Sequence, residues 1–347
     1  MTERRPRKGP AFFIVMGETV AMRKQTGLFV AFCSGAVTLL GGAVWAEAPI
    51  LEWPVDCTLG QTCYIEDYVD RDPNEGTQKD FACGFNARDD HKGTDIALLS
   101  FEAMEAGVEV RAAAAGTVRA TRDGMADDRL MRGVTDQNAC GNAVVITHND
   151  GWETIYCHLK RGSLTVKSGD TVEAGQSLGQ IGLSGQTNHP HLHIGLRENG
   201  VVRDPFDPDD EVTCGVMPDN GLWADALPYY RTTVVTAGFS TFVPTLAQVQ
   251  SGEARDERRG DDKPLVLYGH FFYAQDGDVL EMRAVGPKGG TVFSTEITLE
   301  APQNNIFRAY GRKAPEGGWP GGDFWGEITL MRDGVIIGHR FAHATVE

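Results

Sequence analysis

The alternation of apolar and polar positions predicts a chain built from short strands. Residues 142–148 read Asn-Ala-Val-Val-Ile-Thr-His, a β-branched run that ends at Asn149-Asp150-Gly151. Residues 153–159 return as Glu-Thr-Ile-Tyr-Cys-His-Leu, so the two runs are expected to form a hairpin. Further strands are predicted at 108–110 and 116–120, and short apolar pieces between glycines fill 166–182. Helical periodicity is scarce, with one short helical turn predicted at 101–106. Residues 86–91 and 123–141 are polar and irregular, and the second stretch is expected to rim a groove. A second series of alternating segments occupies 232–235, 264–273, 279–284, 291–299, 326–331 and 335–342. Turn signals at Asp276-Gly277, Lys288-Gly289-Gly290 and Asp333-Gly334 separate most of them. Between the two series, 207–227 is rich in Pro, Asp and Gly and reads as a connection. The expected fold is all-β. It comprises an antiparallel β-sheet domain with an open groove over 47–215, a linker at 216–228, and a small immunoglobulin-like β-sandwich over 229–347.

The first 46 residues stand apart from this pattern. Arg4, Arg5, Arg7 and Lys8 precede a weak apolar run, and Met22-Arg23-Lys24 leads into an apolar stretch that ends in Val44-Trp45-Ala46. A basic region, an apolar region and a small-residue site predict a secretory signal peptide at 1–46, cleaved after Ala46. A start at Met22 would give a more typical signal length. The alternative is a retained anchor, but Gly35, Gly41 and Gly42 interrupt a run of marginal length for a span. Cys33 follows Phe32, where a lipoprotein cleavage box wants a small residue, so no lipidation is expected. The mature chain is therefore expected in the periplasm or cell envelope, with no stable membrane insertion.

Composition narrows the chemistry. A net charge of −16 over 347 residues argues against a nucleic-acid partner, since phosphate binding needs a basic face. Past the leader, Cys57, Cys63, Cys83, Cys140, Cys157 and Cys214 remain, an even number without a C-x-x-C pair. In an exported chain they are expected to form disulfides in the first domain, with fifteen pairings open.

The candidate chemistry lies in His189-Pro190-His191-Leu192-His193. On a strand, His191 and His193 project from one face and Leu192 from the other, into a core. Upstream, His91-Lys92-Gly93-Thr94-Asp95 sets an imidazole and a carboxylate four residues apart. His91, Asp95 and His193 together would offer three N and O ligands and leave one tetrahedral position open, the arrangement of catalytic rather than structural zinc. His158 and His191 could then stand beside that position as proton acceptor or oxyanion stabiliser. The strand period places His158 on one face with Tyr156 and turns Cys157 away. His148 is expected at the surface, His189 facing solvent or else lining the groove, and His270, His339 and His343 in structural roles.

As an ordered set, His91-x-x-x-Asp95, Tyr156-Cys157-His158-Leu159 and Pro190-His191-Leu192-His193 resemble the three motifs of the lysostaphin/LytM-type zinc metallopeptidases. Gly116-Thr117-Val118, Gly141-Asn142-Ala143, Gly169-Asp170-Thr171 and Gly175-Gln176-Ser177 fit the intervening text. The resemblance covers roughly 54–208. It implies that His91, Asp95 and His193 bind Zn2+ and that His158 and His191 assist catalysis. It also implies a zinc metalloendopeptidase acting on the peptide stems and cross-links of bacterial peptidoglycan. The chain departs from the pattern at Asn188-His189, where a Thr-Gly step is usual, and in its cysteines. A catalytically silent binding or regulatory protein of cell-wall remodelling is the alternative; such relatives typically lose ligands, and here all five positions are filled. The sandwich lies outside the resemblance. A protein or glycan is the partner it would take as a binding module, and deletion after Leu227 would then spare hydrolysis of small peptides.

Overall fold

The computed structural model describes residues 48–209, Cys214 and residues 218–347. The predicted signal peptide and the predicted boundary at 215 lie outside the described residues. The described residues belong to one compact unit. Its N-terminal half contains β1 (Cys63–Asp67), β2 (Thr94–Leu98), α1 (Phe101–Ala106), β3 (Glu109–Arg111), β4 (Gly116–Arg122), β5 (Asn142–Thr147), β6 (Trp152–Leu159), β7 (Thr171–Val172), β8 (Ser177–Gln180), β9 (His191–Glu198) and β10 (Val201–Arg203). One antiparallel sheet runs in the order β1-β2-β9-β6-β5-β4-β7, with β10 hairpinned onto β9, while β3 and β8 form a separate pair. The predicted hairpin is β5–β6, and the predicted helical turn is α1, whose N-cap Ser100 accepts a hydrogen bond from the Ala103 amide.

This sheet brings the sequence-distant motifs together. Asp95 on β2 lies directly opposite His193 on β9, and Ala97 opposite His191. Opposed residues share a face with their Cβ atoms about 5 Å apart. The row continues outward: Asp67 on β1 faces Asp95, and Cys157 on β6 faces His193. The intervening residues, Ile96, Leu192, Ile194 and Tyr156, enter a buried core with Val144 and Ile146. A one-residue slip would exchange the two faces and turn the acid into the apolar core, so burial of the apolar set fixes the register on which the site depends.

The C-terminal half contains β11 (Thr233–Ser240), α2 (Leu246–Ser251), β12 (Arg258–Arg259), β13 (Leu265–Ala274), β14 (Val279–Val285), β15 (Thr291–Thr298), β16 (Gln303–Arg312), β17 (Gly322–Arg332) and β18 (Val335–Val346). Two sheets, β11-β13-β16 and β12-β18-β17-β14-β15, face each other across Phe239, Leu267, Phe271, Met282, Phe324 and Ile328. All pairs are antiparallel except β12 with β18. β1, β2, β10, β12, β16 and α2 are absent from the sequence-based expectation. β16 edges a three-stranded sheet and fully buries only Ile306, so it carries no apolar alternation to read.

The two halves share a buried cluster rather than merely a connection. Tyr64 on β1 and Ala97 on β2 meet Val235 on β11 with Phe272 and Tyr273 on β13. The Tyr64 and Phe272 ring centroids are 5.3 Å apart.

Candidate metal centre

His91, Asp95 and His193 converge: one possible ligand atom from each lies within 4.8 Å of the others. His193 Nδ1 stands 2.8 Å from Asp95 Oδ1 and 3.2 Å from His91 Nε2, and His91 Nε2 stands 3.2 Å from Asp95 Oδ2. The other nitrogen of His91, Nδ1, is 2.7 Å from the Tyr68 carbonyl and donates to it, so Nε2 is the atom that can ligate once the ring is neutral. Gly93 lets the loop cross this closely. A Cβ there would come within 2.6 Å of His193 Nε2 and of the Ile194 carbonyl oxygen. Two imidazole nitrogens and a carboxylate, with one ring already oriented by a backbone carbonyl, fit a zinc ion with an open position.

His158 and His191 stand beside this group, with ring centroids 4.7 Å apart. Each donates through Nδ1 to a carbonyl: His158 to Ser184 at 2.8 Å and His191 to His189 at 2.9 Å. Both Nε2 atoms are thereby left as acceptors. His191 Nε2 is buried without a hydrogen-bond partner and lies 3.4 Å from Asp95 Oδ2. Burial, with His191 and His193 adding to it, pushes the His158 pKa well down. Burial also lowers that of His191, against the pull of Asp95. Both rings are therefore neutral near pH 7.

Two sequence-based expectations change here. In a regular strand His158 would follow Tyr156 into the core. Instead His158 has φ +62°, a left-handed residue at the end of β6, and its ring turns to the His191 side. Tyr156 stays in the core and donates its hydroxyl to the Ala113 amide, while Cys157 faces His193 across the sheet. His189 is not at the surface: it is 2% exposed, with Nε2 donating to the Leu98 carbonyl at 2.7 Å. Its pocket is made by Leu98, 91 positions before it, and by Phe272, well beyond it in the second half, so no local signal marks it. His148, half-buried, is held by the Ala115 carbonyl and Thr154. His270 is buried against Asn305, whereas His339 and His343 are half-exposed and pair with Glu327 and Asp323.

The disulfides are Cys57–Cys63, Cys83–Cys214 and Cys140–Cys157. The last anchors the left-handed turn, because the His158 amide donates to the Cys140 carbonyl at 2.8 Å. Its ends are 17 residues apart, a loop for which cross-linking contributes about 3 kcal/mol. The double substitution Cys140→Ser with Cys157→Ser is expected to lower unfolding free energy by about that amount. Chemical denaturation of the oxidised proteins measures it, and an unchanged midpoint would contradict it.

The charges predict a pH response. Burial opposes charge on His91, but Asp95 outweighs it and holds the pKa up at about 9. For Asp95 burial acts the other way, and His91, His191 and His193 keep its carboxyl well below the ordinary range. In the metal-free protein the His91 contribution to stability is therefore present below 6.5 and lost as pH rises through about 9. A ligand must be neutral, so zinc uptake at pH 7 is expected to release this proton, and apparent affinity to rise with pH up to about 9. Titration calorimetry in buffers of different ionisation enthalpy reports that release; buffer-independent heat would contradict it.

Comparison with known proteins places this geometry. Residues 89–205 match the model of peptidase family M23. Cell division protein DipM of Caulobacter vibrioides is 41% identical over 70 residues, which cover 20% of this chain and 11% of that protein. The DD-carboxypeptidase/endopeptidase Mpg of Neisseria meningitidis serogroup B is 33% identical over 102 residues, 29% of this chain and 22% of that protein. The catalytic domain of lysostaphin from Staphylococcus simulans aligns with a TM-score of 0.26 at 23% identity, covering 40% of this chain and 85% of that one. The chain thus spans about a tenth to a quarter of the first two relatives. Among the described residues no helix is long and apolar enough to cross a membrane. The match to peptidase family M23 covers residues 89–205, the stretch that contains His91, Asp95, His158, His191 and His193.

Proposed function

We propose that this protein is an exported zinc-dependent endopeptidase that hydrolyses peptide bonds in the cross-links of bacterial peptidoglycan. The observation that carries the reading is the convergence of His91, Asp95 and His193 within 4.8 Å, with two neutral imidazoles alongside. The relatives support the substrate class, since Mpg is named a DD-carboxypeptidase/endopeptidase and ShyC of Vibrio cholerae a peptidoglycan DD-endopeptidase.

His91 Nε2, the Asp95 carboxylate and His193 Nδ1 would hold the ion. Bound zinc supplies Lewis acidity toward a carbonyl oxygen and lowers the pKa of water. His158 and His191 then divide the proton work. Each has its Nδ1 proton committed to a carbonyl, so each can accept a proton only at Nε2 and, once protonated, donate it to an oxyanion or a leaving amine. A silent binding protein needs neither an open fourth position at the ion nor two such rings.

The test is digestion of purified peptidoglycan by the mature chain, with products resolved by mass. Release of cross-link peptides is expected, abolished by a chelator and restored by zinc. Chelator-insensitive release, or no release by zinc-loaded protein, would reject the reading.

A further inference from the structure

Asp95 has a further partner besides His91, His191 and His193: Arg88, whose Nη2 also stands 3.4 Å from His91 Nε2. Arg88 Nη2 donates to Asp95 Oδ2, and the same guanidinium donates through Nε to Asp67 Oδ2 at 2.7 Å. The other Asp67 oxygen, Oδ1, accepts from the hydroxyl of Tyr273, which belongs to β13 of the sandwich, 206 residues away. The side chains of Asp67 and Asp95 are 2% and 0% exposed, so neither carboxylate has water as an alternative partner. Arg88 closes the gap with a rigid planar fork, which fixes two carboxylates relative to one another as a flexible ammonium does not.

Tyr273 is placed at a cost that packing alone does not require. Its φ is +53°, a left-handed conformation rare for a bulky side chain. The residue is clamped there. Its carbonyl accepts from Thr232 Oγ1 at 3.0 Å and from Arg332, and Arg332 is itself paired with Asp278. Asp67, Arg88 and Tyr273 all fall outside residues 89–205, so the family match assigns none of them.

We propose that Tyr273 is a positioning residue for Asp95, acting through Asp67 and Arg88, so that the sandwich completes the metal centre of the N-terminal half. The proposal rests on the metal reading of the site. Ligating carboxylates depend on such outer partners, whose loss costs roughly 10–100-fold in metal affinity. Arg88 touches the ligand directly and carries the larger effect, and Tyr273 acts through it.

The experiment measures Zn2+ affinity of the full chain by competition with a chromogenic chelator. Arg88→Ala is expected to weaken binding by roughly 10–100-fold and Tyr273→Phe by several-fold. In the Arg88→Ala background, Tyr273→Phe is expected to add less than about two-fold, because the path is already cut. Ile328→Val serves as the control: it thins the sandwich core away from this path, lowers stability and leaves affinity unchanged. Wild-type affinity in Tyr273→Phe, multiplicative effects in the double variant, or equal loss in Ile328→Val would each overturn the inference while the metal reading stands. A wild-type chain that takes up no zinc overturns both.

Discussion

Replacing His193 with alanine is expected to remove zinc and hydrolysis together. His193 is the proposed ligand that register places opposite Asp95, with Nδ1 within reach of both Asp95 and His91. Without it the remaining pair offers one imidazole and one carboxylate, too few to hold a tetrahedral ion against water. The loss of affinity should exceed the roughly 10–100-fold that follows removal of an outer partner. His158→Ala and His191→Ala should behave differently, retaining zinc while turnover falls about 10²–10⁴-fold. Metal analysis of the purified variants, set beside turnover on a cross-linked peptide, separates the two classes. Stoichiometric zinc in His193→Ala would show that the ion is held elsewhere. Undiminished turnover in both His158→Ala and His191→Ala would remove the proton-transfer roles. The contrast also decides between enzyme and silent binder, since a cellular role that survives His193→Ala unchanged does not use the ion.

What could be read from the sequence follows from the range of each interaction. His91, Asp95, His191 and His193 lie in short motifs, and a period of two is enough to put His191 and His193 on one face. The side of the sheet taken by His158 was not legible, because a single left-handed residue reverses a side chain without any change in residue pattern. The disulfides were legible as a set but not as pairs: Cys83 finds Cys214 at a separation of 131 residues, which no local spacing encodes. His189 reads as polar and exposed until Leu98, Phe101 and Phe272 are folded around it. The path from Asp95 to Tyr273 is invisible for the same reason, since it crosses four segments of the chain.

Phe272→Ala is the substitution expected to damage the molecule most without touching the site. Phe272 is 3% exposed and lies against Tyr64 of β1, while its own strand carries His270 and Tyr273 on either side of it. Truncating a buried phenylalanine leaves a cavity and costs about 3–5 kcal/mol. For a typical domain that is a large part of the total stability. The loss should not stay local. Phe272 sits in the cluster shared by both halves, so the cavity opens between β1 and β13, the two strands whose Asp67 and Tyr273 meet. Equilibrium denaturation should show one transition moved to lower denaturant, with zinc affinity weakened in the folded protein. If the sandwich were an independent module, the variant would show two transitions, with metal binding following the unaffected one. The same interface reverses the outcome expected of a removable module. Deletion after Leu227 strips Val235, Phe272 and Tyr273 from Tyr64 and Ala97, baring apolar surface at the edge of the sheet that carries the metal ligands. Small-peptide hydrolysis should therefore fall with the deletion rather than survive it.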